Sequence, residues 1–196
     1  MWRVLFFLGG EYVLVLWIVS MNVETSFSND NRTTTFLIFE PMNVYTDTSV
    51  VGGCFDDEFK EWSNALFEEF IVGTKQIMLS DLTLQELEFA REEIRNKVKE
   101  IPNEHRVPIG INDEAIQLAE TYISEGALTN KSYNDALHIA LATLNNSDVL
   151  ASWNFKHIVN LDRIRLYNSI NFRLGYRMIE IRTPREILTP KKDGYE

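Results

Sequence analysis

The stretch NVYTDTSVVGG, residues 43–53, begins with a short run of apolar and β-branched residues that ends on an acid, Asp47. Such a run favours a buried β-strand, and the Gly-Gly at the end of the stretch predicts a loop. In open α/β sheets, ligands bind outside the carboxyl ends of the strands. If the rest of the chain is α/β, Asp47 marks the sheet edge at which a functional site is expected.

The remainder of the chain alternates short strand patterns with helical ones. The predicted strands cover residues 76–80, 148–152 and 176–181, and RVPIGI, residues 106–111, is predicted as an extended connection. The predicted helices cover residues 56–73, 82–101, 112–126, 131–146 and 161–175. The second of these is expected to be one continuous helix ended by Pro102. This alternation indicates an α/β fold with a mainly parallel sheet.

Composition limits the class of protein. The 196 residues are 45% apolar, enough for one domain with a substantial core. The net charge of −10 argues against a protein that coats nucleic acid, so any such contact must be local or carried by a metal. A single cysteine, Cys54, excludes an internal disulfide and a cysteine-based zinc site.

The first 41 residues are set apart by composition. Residues 4–19 are apolar but include Glu11 and a Gly-Gly pair. A helix that crosses a bilayer needs about 20 apolar residues, so this segment is a poor candidate. A mis-assigned start with the true protein beginning at Met42, a membrane anchor or signal, and an ordered extra element are all open interpretations. We predict an N-terminal extension over 1–41, one domain over 42–190 and a tail over 191–196.

Several polar residues fall near the predicted strand ends although they are far apart in sequence. They are Asp47, Glu86, Asp135 and Asn154, with Asp148 at the start of the third strand. Three carboxylates at one edge repel each other, and a hard divalent cation such as Mg²⁺ or Mn²⁺ removes that cost. Each acid also has a structural explanation, because Ser132 with Asp135 and Thr83 with Glu86 have capping-box spacing, and Asp47 could begin an Asx turn.

Four blocks together carry a resemblance to a known family. NVYTDTSVVGG, LSDLTLQELE, SYNDALHIALA and DVLASWNFKHIVN resemble the successive motifs of PIN-domain proteins, and most of all the VapC-type ribonuclease toxins of toxin–antitoxin pairs. The resemblance extends from Met42 to about Leu188. It implies a three-layer α/β/α sandwich and an RNA-cleaving site that depends on Mg²⁺ or Mn²⁺. By motif, Asp47, Glu86 and Asp135 match the three metal-binding acids.

The sequence departs from the family at one position. A fourth acid commonly follows the third motif strand, and here Asn154 occupies that place, where it could orient water or the hydration shell of the ion. Asp148 could compensate or could simply cap. The resemblance thus implies an endoribonuclease toxin, with a cleavage-deficient RNA- or partner-binding module as the alternative. The expected partners are RNA, a small antitoxin and a second copy of the chain, in the cytoplasm rather than at a membrane.

Residues around Asn154 offer further candidates. His138 lies one helical turn after Asp135 and could reach the site or be packed in the core. Trp153 and Phe155 could stack on a base or pack, and Lys156 could meet a phosphate.

Overall fold

The computed structural model describes residues 23–24, 37–38 and 40–190. The chain divides into two units, Met1–Phe39 and Glu40–Glu196. In the first unit, β1 (Val23–Glu24) pairs antiparallel with β2 (Leu37–Ile38). The apolar residues 4–19 and the tail 191–196 lie outside the described residues, so the interpretations of both segments stay predictions. No helix among the described residues is long and apolar enough to cross a membrane.

The second unit is built on a five-stranded sheet in which every pairing is parallel. Its strands are β3 (Met42–Thr46), β4 (Lys75–Ser80), β5 (Arg106–Ile109), β6 (Val149–Ala151) and β7 (Ile181–Arg182). The order across the sheet is β5-β4-β3-β6-β7. The chain therefore moves outward from β3 on one side, to β4 and β5, and then returns to the other side for β6 and β7. This confirms the predicted α/β class with a parallel sheet.

Eight helices of the second unit connect or flank these strands within residues 40–190. They are α1 (Thr48–Gly53), α2 (Lys60–Ile71), α3 (Asp81–Glu88), α4 (Glu92–Lys97), α5 (Asp113–Ser124), α6 (Tyr133–Leu144), α7 (Leu161–Leu174) and α8 (Pro184–Ile187). Short 3₁₀ turns occur at Val98–Glu100, Asn103–His105 and Asn130–Ser132.

The two faces of the sheet carry separate cores, because successive side chains of a strand point to opposite faces. On one face, Tyr45 and Leu150 pack with the apolar sides of α5, α6 and α7. On the other face, Val44 and Val149 pack with residues of α1, α2 and the α3–α4 segment. Helices therefore cover both faces, which confirms the three-layer sandwich that the resemblance implied.

One loop prediction and one helix prediction were wrong. The predicted loop after Asp47 is the short helix α1, whose first turn is capped by the Asp47 side chain. The predicted continuous helix over 82–101 is broken into α3, α4 and a 3₁₀ turn, with extended backbone at Arg91. A straight helix of 20 residues would be about 30 Å long, whereas the break lets Leu87 and Val98 reach the same core. Tertiary packing here overrides a strong local helix propensity.

The predictions at the sheet's outer strands also need correction. The connection predicted at 106–111 is the edge strand β5, where Pro108 is tolerated because an edge strand need not donate every backbone N–H. The last predicted strand, over 176–181, pairs only at β7. The helix predicted from residue 56 begins only at Lys60. Two other predicted helix ends are confirmed: Asn112 caps α5 through the N–H of Ala115, and Gly175 ends α7 with a φ of 81°.

Candidate active site

The carboxyl ends of β3 and β6 form the point at which the strand order changes direction, and Asp47 lies there. Its carboxylate is almost fully buried, with 4% of the residue exposed. One oxygen, Oδ1, accepts from the N–H and the hydroxyl of Ser49, at 3.1 and 2.5 Å. The other, Oδ2, accepts from the hydroxyl of Ser152 at 2.7 Å. Asp47 thus ties the end of β3 both to α1 and to the residue that follows β6.

Burial makes the charge of Asp47 costly. Desolvation raises the pKa of Asp47 above its usual range, although the charge of His138 and the hydroxyls of Ser49 and Ser152 act to lower it. The Asx-turn explanation of this residue also applies, since Asp47 is the N-cap of α1. A cap alone does not require burial, however, and an ionised side chain placed this deep calls for a nearby cation.

Glu86 projects from α3 and meets three side chains from other parts of the chain. Its Oε2 accepts from the hydroxyl of Thr48 at 2.9 Å and faces Nε2 of His138 at 3.2 Å. Its Oε1 accepts from the amide of Asn134 at 2.8 Å. Burial acts to raise the pKa of Glu86, but these hydrogen bonds and the charge of His138 outweigh it and lower the pKa. The capping explanation does not hold for Glu86, because Ser80 is the N-cap of α3.

His138 is buried, with 3% exposed, and both of its ring nitrogens have partners. Nδ1 lies 2.9 Å from the hydroxyl of Tyr45, which donates its proton to Ser80 at 2.7 Å. Nε2 lies 3.2 Å from Oε2 of Glu86. The imidazole of His138 thus connects Tyr45 in the central strand to Glu86 at the site.

Asp135 and Asn154 are joined directly. The amide nitrogen of Asn154 donates to Oδ1 of Asp135 at 2.8 Å, while its carbonyl oxygen accepts from the backbone N–H of His157 at 3.0 Å. That backbone donor fixes the orientation of the amide, because only the oxygen can accept. Asn154 therefore presents N–H groups to Asp135, and its carbonyl oxygen points away from that carboxylate.

The pKa of Asp135 is also raised. Desolvation is the main cause, the charge of Asp47 adds to it, and the charges of His157 and His138 oppose it. Ser132, the predicted partner in a capping box, makes no side-chain capping bond to α6. Burial thus makes the charged form of Asp135 costlier than it is in water, as it does for Asp47.

The four predicted site residues thus lie in one region of the fold. Ser152 bonds to Asp47, and its hydroxyl also accepts from the N–H of Asn154 at 2.9 Å, which extends the connection to Asp135. Asp148 lies at the opposite edge. It accepts from the N–H of Asn43, at the beginning of β3, over 2.7 Å, so it caps the strand starts and cannot compensate for the asparagine at 154.

A divalent cation is the group that the family resemblance implies here. The donor types fit, because Asp47, Glu86 and Asp135 offer carboxylate oxygens, which Mg²⁺ and Mn²⁺ prefer. The raised pKa values of Asp47 and Asp135 point the same way. Within residues 40–190, however, no three His, Cys, Asp or Glu side chains are gathered into a ligand group. A bound ion would have to replace some of the hydroxyl, amide and imidazole contacts described above.

Sequence reasoning missed several contributors to this site. Thr48, Ser49, Asn134 and Ser152 all contact the acids, yet each is a small polar residue next to a predicted element. The one available signal is the cluster of hydroxyls around Asp47 in YTDTS, which suggests hydrogen bonding to the carboxylate. His138 was named from its spacing to Asp135, but its contact with Tyr45 could not be read from either segment.

An aromatic cluster supports the loop that carries Asn154. The ring of Trp153 stacks on Phe59 with a centroid distance of 4.4 Å and donates Nε1–H to Ser63 at 2.9 Å. A Cβ added at Gly53 would lie 2.5 Å from the Ser63 hydroxyl and 2.9 Å from the Trp153 nitrogen. Only glycine at position 53 therefore permits this contact, which holds Trp153 beside the site.

Comparison with known proteins gives structural neighbours only, since no family model and no curated protein matches the chain. VapC20 of Mycobacterium tuberculosis, a sarcin–ricin loop cleaving toxin, is 14% identical with a TM-score of 0.45, over 58% of this chain and 92% of that one. VapBC2 of Rickettsia felis, bound to a promoter DNA fragment, is 15% identical with a TM-score of 0.45, over 72% and 98%. A toxin–antitoxin complex from Klebsiella pneumoniae is 16% identical with a TM-score of 0.45, over 72% and 97%. The solved structures that the chain is similar to thus include VapC-type PIN-domain toxins, the family whose motifs its sequence resembles.

Proposed function

We propose that this chain is a metal-dependent endoribonuclease that hydrolyses phosphodiester bonds in RNA. The observation that carries the proposal is that Asp47, Glu86 and Asp135, from three distant segments, lie in one region near the carboxyl edge of the sheet, although they are not gathered into a ligand group within residues 40–190. Two of these acids have raised pKa values. Perturbed carboxyl groups at such an edge are typical of catalytic sites.

Asp47, Glu86 and Asp135 would hold Mg²⁺ or Mn²⁺. When bound, such an ion lowers the pKa of a coordinated water and neutralises charge that develops on a phosphate. The surrounding residues keep the carboxylates in place. Ser49 and Ser152 orient Asp47, Asn154 orients Asp135, and His138 with Thr48 orients Glu86. Fixed hydrogen-bond partners of this kind preserve the geometry that in-line attack on phosphorus requires.

The test is cleavage of an unstructured RNA by the wild-type protein with Mg²⁺, with Mn²⁺ and with EDTA. We expect cleavage with either metal and none with EDTA. Asp47→Asn should lower the rate by about 100-fold or more, as expected when a charged group that stabilises the transition state is removed. Asp148→Asn is the matched control, since it alters a carboxylate at the opposite sheet edge and should leave the rate unchanged. Equal rates for both variants would reject the site.

We further propose that the chain is the toxin of a toxin–antitoxin pair and works in the cytoplasm. Two of the similar structures, from Rickettsia felis and Klebsiella pneumoniae, are described by names that pair a toxin with an antitoxin. The partner would be a small protein encoded beside this gene, and the chain would form a homodimer. Co-expression with the neighbouring small open reading frame, followed by purification through a tag on this chain, tests both points, because one complex of defined mass is expected and a lone monomer would contradict them.

The second candidate function is a PIN-like module that binds RNA or a protein partner without cleaving RNA. It is favoured by Asn154, which replaces an acid and presents N–H groups to Asp135, and by the absence of a three-ligand group within residues 40–190. If the wild-type protein binds RNA but does not cleave it at saturating Mn²⁺, the binding module is the better explanation.

A further inference from the structure

The two aromatic residues beside Asn154 occupy different environments. Trp153 is 9% exposed and belongs to the core, stacked on Phe59. Phe155 is 50% exposed. Its ring centroid lies 6.1 Å from that of Trp153 and 6.3 Å from that of Phe59, so it rests against the cluster with much of its surface facing solvent. Packing therefore accounts for Trp153 but leaves the exposed part of Phe155 unexplained.

The backbone around Phe155 is held by hydrogen bonds. Its N–H donates to the carbonyl of Trp153 at 3.0 Å, and the carbonyl of Asn154 accepts from Ile158 and Val159 at 3.0 and 2.8 Å. The side-chain oxygen of Asn154 accepts from the N–H of His157. Because hydrogen bonds hold this turn, the ring of Phe155 loses little conformational freedom when a ligand stacks on it, and this favours binding.

The surroundings of Phe155 indicate the class of ligand. The preceding residue, Asn154, bonds to Asp135 of the candidate active site. The following residue, Lys156, is exposed and forms no ion pair with any residue in the described part of the chain. Three of the arginines near α7 differ in this respect: Arg165 pairs with Asp162, Arg173 pairs with Glu125, and Arg163 bonds to the carbonyl of Ala127. An exposed ring and an unpaired cation side by side match a base with its phosphate.

We propose that Phe155 is a stacking platform for an unpaired RNA base next to the cleaved phosphodiester, and that Lys156 contacts an adjacent phosphate. This deepens the proposed function and rests on it. A base can cover the ring only when it is free of its own duplex stack, so the substrate is a single strand or a loop with splayed bases. A continuous RNA duplex cannot offer such a base.

Binding measured in EDTA tests the platform separately from catalysis. A labelled 12-nucleotide single-stranded RNA and its duplex are titrated with protein, and fluorescence anisotropy gives the affinity. Phe155→Leu, which keeps apolar bulk without a ring, should weaken single-strand binding by about 5- to 150-fold, the range for loss of one stacked base. Phe155→Tyr should bind like wild type. Phe172→Leu is the matched control, since Phe172 is 78% exposed on α7.

Lys156 gives a second, independent measurement. Lys156→Gln should reduce the slope of log affinity against log salt by about 0.7, the value for one phosphate contact on single-stranded nucleic acid.

Wild-type affinity should be far higher for the single strand than for the duplex.

The outcomes separate the platform from the proposed function. If wild-type protein binds and cleaves the single strand while Phe155→Leu keeps full affinity, the platform is overturned and the ribonuclease stands. If Phe172→Leu weakens binding as much as Phe155→Leu, the effect is not specific and the platform again fails. A wild-type protein that neither binds nor cleaves RNA overturns both. Melting curves of each variant establish that the turn has stayed folded.

Discussion

Asn154 donates its side-chain amide to Asp135 over 2.8 Å, and the backbone N–H of His157 fixes the direction of that amide. An acid at position 154 would place a second carboxylate at this distance from the first. The asparagine therefore removes a repulsion, and it also removes a possible oxygen ligand of a metal.

The first prediction follows from this contact. Asn154→Asp should destabilise the metal-free protein by about 1–3 kcal/mol, since a hydrogen bond to a charged group is replaced by like-charge repulsion. It should also tighten Mn²⁺ binding by about tenfold or more and raise RNA cleavage, because the added charge attracts the ion. Thermal melting in EDTA and calorimetric titration with Mn²⁺ measure the two effects. If neither stability nor affinity changes, residue 154 lies outside any metal site.

Asp135→Asn separates a catalytic role from a capping one. Asparagine caps helices about as well as aspartate, and its oxygen can still accept the bond from Asn154. We expect cleavage to fall by about 100-fold or more while the fold is kept. In EDTA the Tm should rise slightly, by about 1–4 °C, because a buried charge is removed. A wild-type cleavage rate would support the capping role alone.

The pH dependence of the metal-free protein provides another test. Asp47 and Asp135 have pKa values raised in the folded state, so the folded chain holds these protons more tightly than the unfolded chain. Their contribution to stability is full below the unfolded pKa of about 3.9 and is lost as pH rises through the folded pKa. Asp47→Asn should therefore gain in Tm relative to wild type as pH increases from about 4 to 7 in EDTA. A constant difference across that range would contradict the buried charge.

For Glu86, the free energy of unfolding is expected to change with pH in the opposite direction. Its pKa is lowered, so it stabilises the fold above the unfolded pKa of about 4.3 and loses this effect as pH falls through the folded value. Glu86→Gln should be less stable than wild type by about 1–3 kcal/mol at pH 7, since the hydrogen bonds that the Glu86 carboxylate accepts are weakened. The deficit should shrink below about pH 4. A deficit that is the same at pH 3 and pH 7 would show that packing, not charge, is responsible.

Gly53→Ala tests the support of the loop that carries Asn154. The added Cβ would crowd both Ser63 and Trp153, and such overpacking costs about 1–3 kcal/mol. Gly52→Ala is the control, since a Cβ there meets nothing within 4 Å. The fluorescence of Trp153 and the melting temperature should change in Gly53→Ala and should stay as in wild type in Gly52→Ala. Equal behaviour would mean that Trp153 can move without cost.

Local signals explain what the sequence predicted correctly. The cap at Asn112 and the glycine at 175 depend on neighbours within a few residues, and both helix ends lie where expected. The break after α3 depends on Leu87 and Val98 sharing one core. The contact of His138 with Tyr45 joins residues 93 positions apart in sequence. Neither relation can be found from a window of sequence, because each arises only when distant segments pack.

The separation between Asp47 and Ser152, 105 positions, has a consequence for synthesis. β3 lies at the centre of the sheet, yet its neighbour β6 is supplied late in the chain. While the chain emerges from the ribosome, Asp47 lacks the hydroxyl donor of Ser152, and neither His138 nor Asn154 has yet been added. Parallel pairings between such distant segments close slowly. The acids therefore come together only once nearly the whole domain has been released, and a partly made chain has no assembled site.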